Sequence, residues 1–339
     1  MKSQLIRLKF KENRRAVWSL RILAVFIIVS ILAPLIANEK PIVVCLSDRC
    51  YYPIVSFYSE KDFGGYFSTE MNYKTNYFDE LIKKESGWAI WPLIPFSYDT
   101  HNFRLTEPAP SRPTWQNILG TDDQGRDILA NLIYGLRISL WFGFLITIFS
   151  SILGIALGAC QGYFGGRFDL YGQRVLEVWS GLPSLFIIVI LSSLVTPSFW
   201  SLLFLMLLFT WPGLVGRVRA ECLRERNLDY VKAAQVMGLK TSRIIFIHIL
   251  PNAVVTTMTL LPFVLTENIV ALSSLDFLGF GMPIGSPSFG ALLAQAKDNL
   301  HAPWIGLSVF CTLSILLSIL IFIGEGIRDA MDPRFDQTC

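Results

Sequence analysis

Residue types that commonly carry chemistry are few and scattered in this chain. The densest carboxylate group is Asp122, Asp123 and Asp127. The three histidines lie far apart, at His101, His248 and His301. A metal centre or an acid–base pair would need these groups to converge in the fold, because their spacing matches no ligand pattern. No Gly-x-x-x-x-Gly-Lys-Ser/Thr phosphate-binding loop occurs, so the sequence predicts neither a metal site nor a nucleotide cofactor bound by this chain.

A more informative spacing occurs in residues 229–251. A short, charged, helix-compatible segment from Asp229 to Gly238 is followed at a distance by Leu250 and Pro251. Asp229 can cap the start of a short helix, and Gly238 can end it, because a left-handed terminal residue is least costly as glycine. Because the segment lies between two long apolar stretches, it is predicted to be a loop exposed at one membrane face.

Two further features indicate how this loop contacts a partner. Ala233 and Ala234 keep one surface of the helix small, which allows a partner to approach closely. Thr241 or Ser242 can cap the next helix, so that the short helix is rigidly joined to two apolar stretches and is suited to transmit a push. The helix pattern alone also fits an ordinary interfacial amphipathic helix. The candidate residues of the loop are Asp229, Tyr230, Lys232, Ala233, Ala234, Gly238, His248, Leu250 and Pro251.

The composition places these residues in a membrane protein. Hydrophobic residues make up 53% of the chain, charged residues only 16%, and the mean hydropathy is +0.49. A formal charge of +3 is too small to indicate nucleic-acid binding.

Apolar blocks can be compared with the roughly 20 residues that cross a bilayer as a helix. They predict six spans, with two in the third block and a turn at Thr196 to Ser198. The blocks are 18–36, 138–159, 178–216, 249–275 and 305–324.

The charged connections predict the orientation, since short cytoplasmic loops carry an excess of Lys and Arg. Basic residues cluster in the amino-terminal segment 1–17, in the loop 217–248 and in the carboxyl-terminal segment 326–339. The connection 276–304 contains only one, Lys297. Both termini and the loop 217–248 are therefore predicted to be cytoplasmic.

The remaining segments divide into an insert and a core. Residues 38–137 follow the first predicted helix, 18–36, and are polar and rich in aromatic residues, which indicates an irregular or β-containing domain outside the cytoplasm. Residues 138–325 then form a five-helix core. Cys45 and Cys50 lie in the insert, on the oxidising side of this topology, where a disulfide between them is sterically possible.

Glu267 is a carboxylate inside a predicted span. Ionisable groups in membrane spans usually face a polar interior rather than lipid. Glu267 is therefore a candidate for lining a translocation path, and pairing with a neighbouring helix is an equal alternative. Pro262 is predicted to kink the same span, because it removes a backbone donor and crowds the preceding turn.

The spacing from Ala233-Ala234 through Gly238 to Leu250-Pro251 resembles the cytoplasmic loop of permease subunits in bacterial ABC importers. The region before the second span and the last third of the chain are similar to oligopeptide, dipeptide and nickel permeases. The large aromatic insert looks most like that of the Yej-type peptide permeases. The matching segments outside the loop are 119–127, 133–140, 276–281, 287–290 and 325–334.

The resemblance implies a fold and a set of partners. The fold would be an all-α polytopic type I ABC importer permease of six transmembrane helices, with an extracytoplasmic insert after the first. The partners would be a second homologous permease, ABC ATPase subunits that bind ATP and Mg, an extracytoplasmic substrate-binding protein and membrane lipid. The chain would lie in the bacterial inner membrane and carry peptides or peptide-like compounds inward. The loop would dock on the ATPase.

Lys232 departs from the pattern, because the family usually has Glu at this position. A Glu there could complete a capping box with Asp229, whereas Lys cannot. Three alternatives remain open at the level of the sequence. They are an importer of nickel or another solute, a secondary transporter, and an integral membrane enzyme whose outward-facing site would depend on Asp122, Asp123 and Asp127.

Overall fold

The computed structural model describes residues 8–46, 49–85, 87–102, 105 and 107–331. Parts of the predicted cytoplasmic segments 1–17 and 326–339 therefore lie outside the described residues. Contacts divide the described chain into two compact units. The core unit contains residues up to 24, 139–283 and 313 onward, and the insert unit contains residues 25–138 and 284–312.

Helices dominate the described residues. The helices before and within the insert are α1 (Arg14–Ile31), α2 (Ala33–Ile36) and α3 (Asn76–Lys84). They are followed by α4 (Ile128–Phe164), α5 (Gly166–Ser180), α6 (Ser184–Leu194), α7 (Phe199–Thr210) and α8 (Pro212–Arg226). The last third contains α9 (Asp229–Val236), α10 (Thr241–Arg243), a π-helical turn (Ile244–Ile249), α11 (Leu250–Met258), α12 (Leu261–Phe277), α13 (Phe289–Asp298) and α14 (Pro303–Met331).

Among the described residues, two helices have the length and apolar composition to cross a membrane, namely α4 and α14. Two bent pairs raise the number to four if each pair is one span: α5 with α6, bent by 72°, and α7 with α8, bent by 43°. The turn predicted at Thr196 to Ser198 lies between α6 and α7, as expected. The Ser198 side chain caps α7 by accepting a hydrogen bond from the Ser201 N–H at 3.1 Å.

The kink predicted at Pro262 takes a different form. The chain breaks between α11, which ends at Met258, and α12, which begins at Leu261. Pro262 lies in the first turn of α12. A proline is accommodated there because the amide groups of the first helical turn have no partner within the helix. The fourth apolar block is thus two helices rather than one kinked helix.

Small residues bring α4 and α8 together. Gly154, Gly158 and Gly162 follow one another at intervals of four residues along α4, so they lie on one face. A Cβ at Gly158 would lie 2.8 Å from the Val215 carbonyl oxygen, and one at Gly162 would lie 2.6 Å from the Cys222 Cβ. Both distances are too short for a side chain, so glycine permits the close approach of these two helices. This contact fixes α8, which leads into the candidate loop.

A second apolar cluster of the core unit packs on the middle of α4. Phe142 and Ile146 are buried against α7 and α12, where they contact Met206 and Leu272 among other apolar side chains. One buried polar pair crosses this packing, because the Asn268 amide donates to the Thr147 hydroxyl at 3.0 Å. Since buried polar groups are costly unless hydrogen-bonded, this bond fixes the register of α12 on α4.

The insert unit contains the described strands, so the expectation of some β-structure there is met. Strands β1 (Val43–Leu46), β2 (Arg49–Tyr51) and β3 (Trp88–Ile90) form an antiparallel sheet in the order β2-β1-β3. Cys45 lies directly opposite Cys50 in the β1–β2 pair, and the two form a disulfide. Aromatic side chains pack edge to face beneath the sheet, for example Phe78 on Tyr73 with ring centroids 5.2 Å apart.

Candidate functional site

Helix α9 forms the predicted short helix of the loop, but its start differs from the prediction. Leu228 occupies the capping position, without a side-chain hydrogen bond, and Asp229 is the first helical residue. The predicted cap by Asp229 is therefore wrong. Its carboxylate still lies in the first turn, where the helix dipole favours a negative charge. The Lys232 ammonium lies 4.0 Å from it, and both side chains are exposed, so this ion pair contributes little stability.

The end of α9 matches the prediction at Gly238. Its φ angle of 75° is left-handed, and its N–H donates to the Gln235 carbonyl at 3.0 Å. The Leu239 N–H donates to the Ala234 carbonyl at 3.2 Å. These two bonds are the Schellman pattern, which satisfies the last carbonyls of a helix and turns the chain. The site residue Gly238 thus sets the direction in which the chain leaves α9.

The two alanines of the loop lie on different faces of α9. Ala234 is only 2% exposed and packs with Val231 against Cys222 and Ile249 of the core unit. The prediction that Ala234 presents a small surface to a partner is therefore wrong, because its methyl group faces the protein's own core. Ala233 is exposed, as predicted.

A surface of apolar and small side chains remains on the outer side of α9. Val236 is 89% and Met237 is 73% exposed, and Lys232 and Ala233 are exposed beside them. We call Lys232, Ala233, Val236 and Met237 the docking ridge. Exposed apolar side chains that lie together on one face mark a contact with another protein or with a membrane.

The chain re-enters the helical core through an irregular turn. Lys240, rather than Thr241 or Ser242, precedes α10, and no side chain caps it, so the predicted cap is wrong. The following turn is π-helical, with the Leu250 N–H bonded to the Ile245 carbonyl. Pro251 comes next and has no N–H to donate. The irregular turn therefore ends at a position where a regular α-helix would also lack one backbone hydrogen bond.

A polar cluster joins α8, α9 and α11, and its central residue, Glu225, is not among the site residues predicted from the sequence. The Glu225 carboxylate accepts hydrogen bonds from the Tyr230 hydroxyl and from the Asn252 amide, the latter at 3.1 Å. Tyr230 also lies 3.3 Å from the His248 carbonyl oxygen. Partial burial, and then the bond to Glu225, raise the pKa of the Tyr230 phenol, which therefore stays protonated and donating. His248 contributes its backbone, and Leu250 packs at the edge of the apolar cluster.

The helical periodicity of α8 contains a signal from which the burial of Glu225 could have been predicted. Val218 and Cys222 lie seven and three positions before it, so the three residues share one face of α8. Both apolar residues are buried, and Glu225 is buried with them at 4% exposure. A charged residue that continues an apolar face is the kind of exception that indicates a specific partner.

Glu267 lies on the exposed face of α12. The opposite face of this helix is buried through Leu265, Ile269 and Leu272. Val270, on the same side as Glu267, is also exposed. The carboxylate is therefore directed away from the packed core of its own unit.

Two of the three aspartates that the enzyme alternative requires, Asp122 and Asp127, have structural partners in the insert unit. Asp122 accepts from the backbone N–H groups of Gln124 and Arg126 and pairs with the Arg126 guanidinium at 2.8 Å. Asp127 accepts from Asn117 at 2.7 Å. Burial raises the pKa of Asp127, and its hydrogen bonds oppose that shift. Within the described residues, no group of His, Cys, Asp and Glu side chains is arranged to hold a metal ion.

Known proteins similar to this chain are membrane transport components. A family described as the binding-protein-dependent transport system inner membrane component matches residues 150–337. The N-terminal TM domain of oligopeptide transport permease C matches residues 3–44. The first of these matches includes the whole of α9, the docking ridge and the polar cluster.

Individual relatives extend the similarity to nearly the full length. The chain is 51% identical, over 96% of its length and 95% of the relative, to the inner membrane ABC transporter permease protein YejE of Escherichia coli (strain K12). It is 46% identical, over 96% of its length and 91% of the relative, to the peptidoglycan transport system permease protein YejE of Agrobacterium fabrum. A dipeptide transport system permease protein, DppC of Haemophilus influenzae, is 35% identical over 65% of this chain and 75% of its own.

The family match covers more than half of the chain, and the first two relatives are matched along almost their whole length. The matched region contains the loop whose outer face is exposed and whose inner face is buried. The chain therefore belongs to the family of binding-protein-dependent transport system inner membrane components and is a transmembrane permease subunit of an ABC importer.

Proposed function

We propose that this permease carries peptides or peptide-like compounds into the cytoplasm through six spans, with both termini cytoplasmic. The cargo class is supported by two relatives, which are named for peptidoglycan and dipeptide transport. The orientation is supported by the basic residues of 217–248 and by the single Lys297 in 276–304. In this arrangement residues 38–137 lie outside the cytoplasm, where the Cys45–Cys50 disulfide is chemically stable.

The docking ridge is the proposed contact for the partner ATPase. One observation carries this assignment: Val231 and Ala234 anchor α9 in the core unit, while Ala233, Val236 and Met237 are left exposed. A helix held on one face and exposed on the other can pass a force from a partner to the helices behind it. ATP and Mg would be bound by the ATPase subunits, because this chain contains no phosphate-binding loop.

Glu267 is the proposed polar contact of the translocation path. A carboxylate at the level of the membrane is costly unless it faces water or a polar partner. Its exposed position on α12 therefore favours a face covered by the second permease subunit or open to the path between the two subunits. An extracytoplasmic binding protein would deliver the cargo to this path from outside.

The experiment purifies the tagged chain from membranes of its own host and identifies the co-purifying proteins and bound ligand by mass spectrometry. A second permease, an ATPase and peptide-containing ligands are expected. The double variant Val236→Asp, Met237→Asp places charges on the docking ridge and should lose the ATPase. Val55→Asp, which alters an equally exposed apolar residue in the insert unit, is the matched control and should retain it. Equal ATPase recovery from both variants would contradict the docking assignment.

A further inference from the structure

The carboxyl-terminal part of α8 is bonded to several other elements of the core unit. Arg219 forms a two-pronged ion pair with Asp169 of α5, in which Nη2 and Oδ2 are 2.6 Å apart. Arg226 donates to the Tyr163 carbonyl at the end of α4 at 2.8 Å. Glu225 joins the same helix to α9 and α11. Two turns of α8 therefore contact the ends of four neighbouring elements through charged groups.

Glu225 is the central residue of this arrangement. It is buried, and its carboxylate is contacted by the Tyr230 hydroxyl of α9, the Asn252 amide of α11 and, at 3.4 Å, the Arg224 guanidinium. A buried carboxylate is costly to desolvate, and an apolar residue of similar size would often stabilise a fold equally well. Its hydrogen bonds nevertheless have fixed directions, which apolar packing lacks. The carboxylate thus holds the relative orientation of three helices.

The backbone at the junction of α4 and α5 also permits the close contact between Arg226 and the end of α4. Gly165, which begins the turn into α5, has a φ angle of 62°, and a Cβ there would lie 2.6 Å from the Arg226 guanidinium nitrogen Nη1. The guanidinium therefore occupies the space that a side chain would take. It binds the last carbonyl groups of α4, where the helix dipole favours a cation.

We propose that Glu225 is a positioning residue that makes α9 and the start of α11 move as one body with α8 when the ATPase moves the docking ridge. This rests on the proposed docking of the ATPase on α9. Because apolar contacts are not directional, those of Val231 and Ala234 restrict the sliding and rotation of α9 less than hydrogen bonds do. The bonds from Tyr230 and Asn252 to one carboxylate restrict both motions further, so displacement of α9 reaches α8 and α11 together.

The test separates ATPase binding from its effect on the helices. Tyr230→Phe removes the hydroxyl, and with it the contacts to Glu225, to the His248 carbonyl and to the Asn252 amide. It leaves the ring, the bond from Asn252 to Glu225 and the docking ridge in place. Tyr171→Phe, on the exposed face of α5, is the matched control. A reporter, Val270→Cys on α12, is placed in a Cys311→Ser background, since Cys311 is an exposed free thiol. The whole importer complex is labelled with a membrane-impermeant thiol reagent, with and without ATP and vanadate. A complex that carries Cys311→Ser but not Val270→Cys gives the background labelling.

In the parent and in Tyr171→Phe, ATP with vanadate should change the labelling rate of the reporter by at least about fivefold, the low end of typical coupling between sites. In Tyr230→Phe, ATPase co-purification and ATP hydrolysis should stay within about twofold of the parent, while the change in labelling falls below about twofold. Glu225→Gln, which retains hydrogen-bonding groups, should keep more of the response than Glu225→Ala.

Two results would overturn the proposal. An undiminished labelling response in Tyr230→Phe would mean that the cluster does not transmit the movement. A parallel fall of co-purification, hydrolysis and response would mean that the cluster only stabilises the loop. Absence of the ATPase from the parent complex is a separate outcome, which would contradict the docking function itself before any variant is compared.

Discussion

At the scale of single residues, Ala233 and Ala234 have opposite surroundings although they are neighbours in sequence. Ala233 is exposed on the docking ridge, and Ala234 is buried. Ala233→Trp should leave the abundance of the chain unchanged, since no packed neighbour is displaced. It should reduce ATPase co-purification by at least about tenfold, because a bulky side chain would hold the two surfaces apart at the centre of the contact. Quantitative immunoblotting of the purified complex measures both quantities.

The neighbouring variant is the control for this interpretation. Ala234→Trp forces a large ring into the cluster of Val231, Cys222 and Ile249, and overpacking of this kind costs about 1–3 kcal/mol or more. Its main effect should be lower abundance and lower thermal stability of the chain. Normal ATPase recovery with Ala233→Trp would show that α9 is an ordinary surface helix.

Gly238 allows a second residue-level prediction, because only its backbone conformation should make a substitution there destabilising. A Cβ there would meet no atom within 4 Å, so only the left-handed backbone opposes a side chain. Gly238→Val should destabilise the end of α9 by about 1–2 kcal/mol. ATPase co-purification and uptake should therefore fall together, by about 5–30-fold if the ordered loop is needed for both.

Asn tolerates the left-handed conformation better than a β-branched residue does, so Gly238→Asn is the matched control and should retain most of both activities. The two variants are compared in one co-purification and uptake experiment. If Gly238→Val and Gly238→Asn behaved alike, backbone conformation at this position would not matter for docking.

At the scale of elements, the sequence predicted the features that depend on local chemistry. The turn before Phe199 and the left-handed end at Gly238 both follow from residue types within a few positions. Local residue types did not predict which face of α9 is buried, because this helix of two turns has apolar residues on more than one side. Which side is buried depends on α4 and α8, which are distant in sequence. Glu225 was missed for the same reason, since its partners come from two later elements.

The disulfide of the insert unit is an element-level prediction. The β1–β2 pairing places Cys45 opposite Cys50, and the two sulfurs are bonded in the structure. In the purified protein both thiols should resist alkylation until a reductant is added, as measured by the mass of the peptide that contains them. Cys311, an exposed free thiol, should react without reductant and is the internal control. Direct alkylation of Cys45 and Cys50 would contradict the disulfide and leave the docking ridge unaffected.

At the scale of the whole molecule, family membership decides between the classes of function that the sequence left open. The family is one of transport components, which removes the support for a membrane enzyme, and two of the aspartates that such an enzyme would use, Asp122 and Asp127, are bonded within the insert unit. A nickel importer and a peptide importer would have the same spans and the same docking loop. These two alternatives therefore differ only in the solute that is carried. Within the described residues, helix length and composition identify two spans, α4 and α14, whereas the five apolar blocks of the sequence predict six.

Reporter fusions would test the six-span topology, and the pattern of basic residues predicts their result. A phosphatase that is active only outside the cytoplasm should be inactive when fused after Phe10, Arg224 or Met331, and active when fused after Tyr77. A fluorescent protein that matures only in the cytoplasm should give the opposite pattern. Each site thus has a positive signal from one reporter. The decisive position is Arg224, because it lies next to the docking ridge. An external signal there would place the loop on the side of the membrane without ATP, and the ridge could not then bind an ATPase.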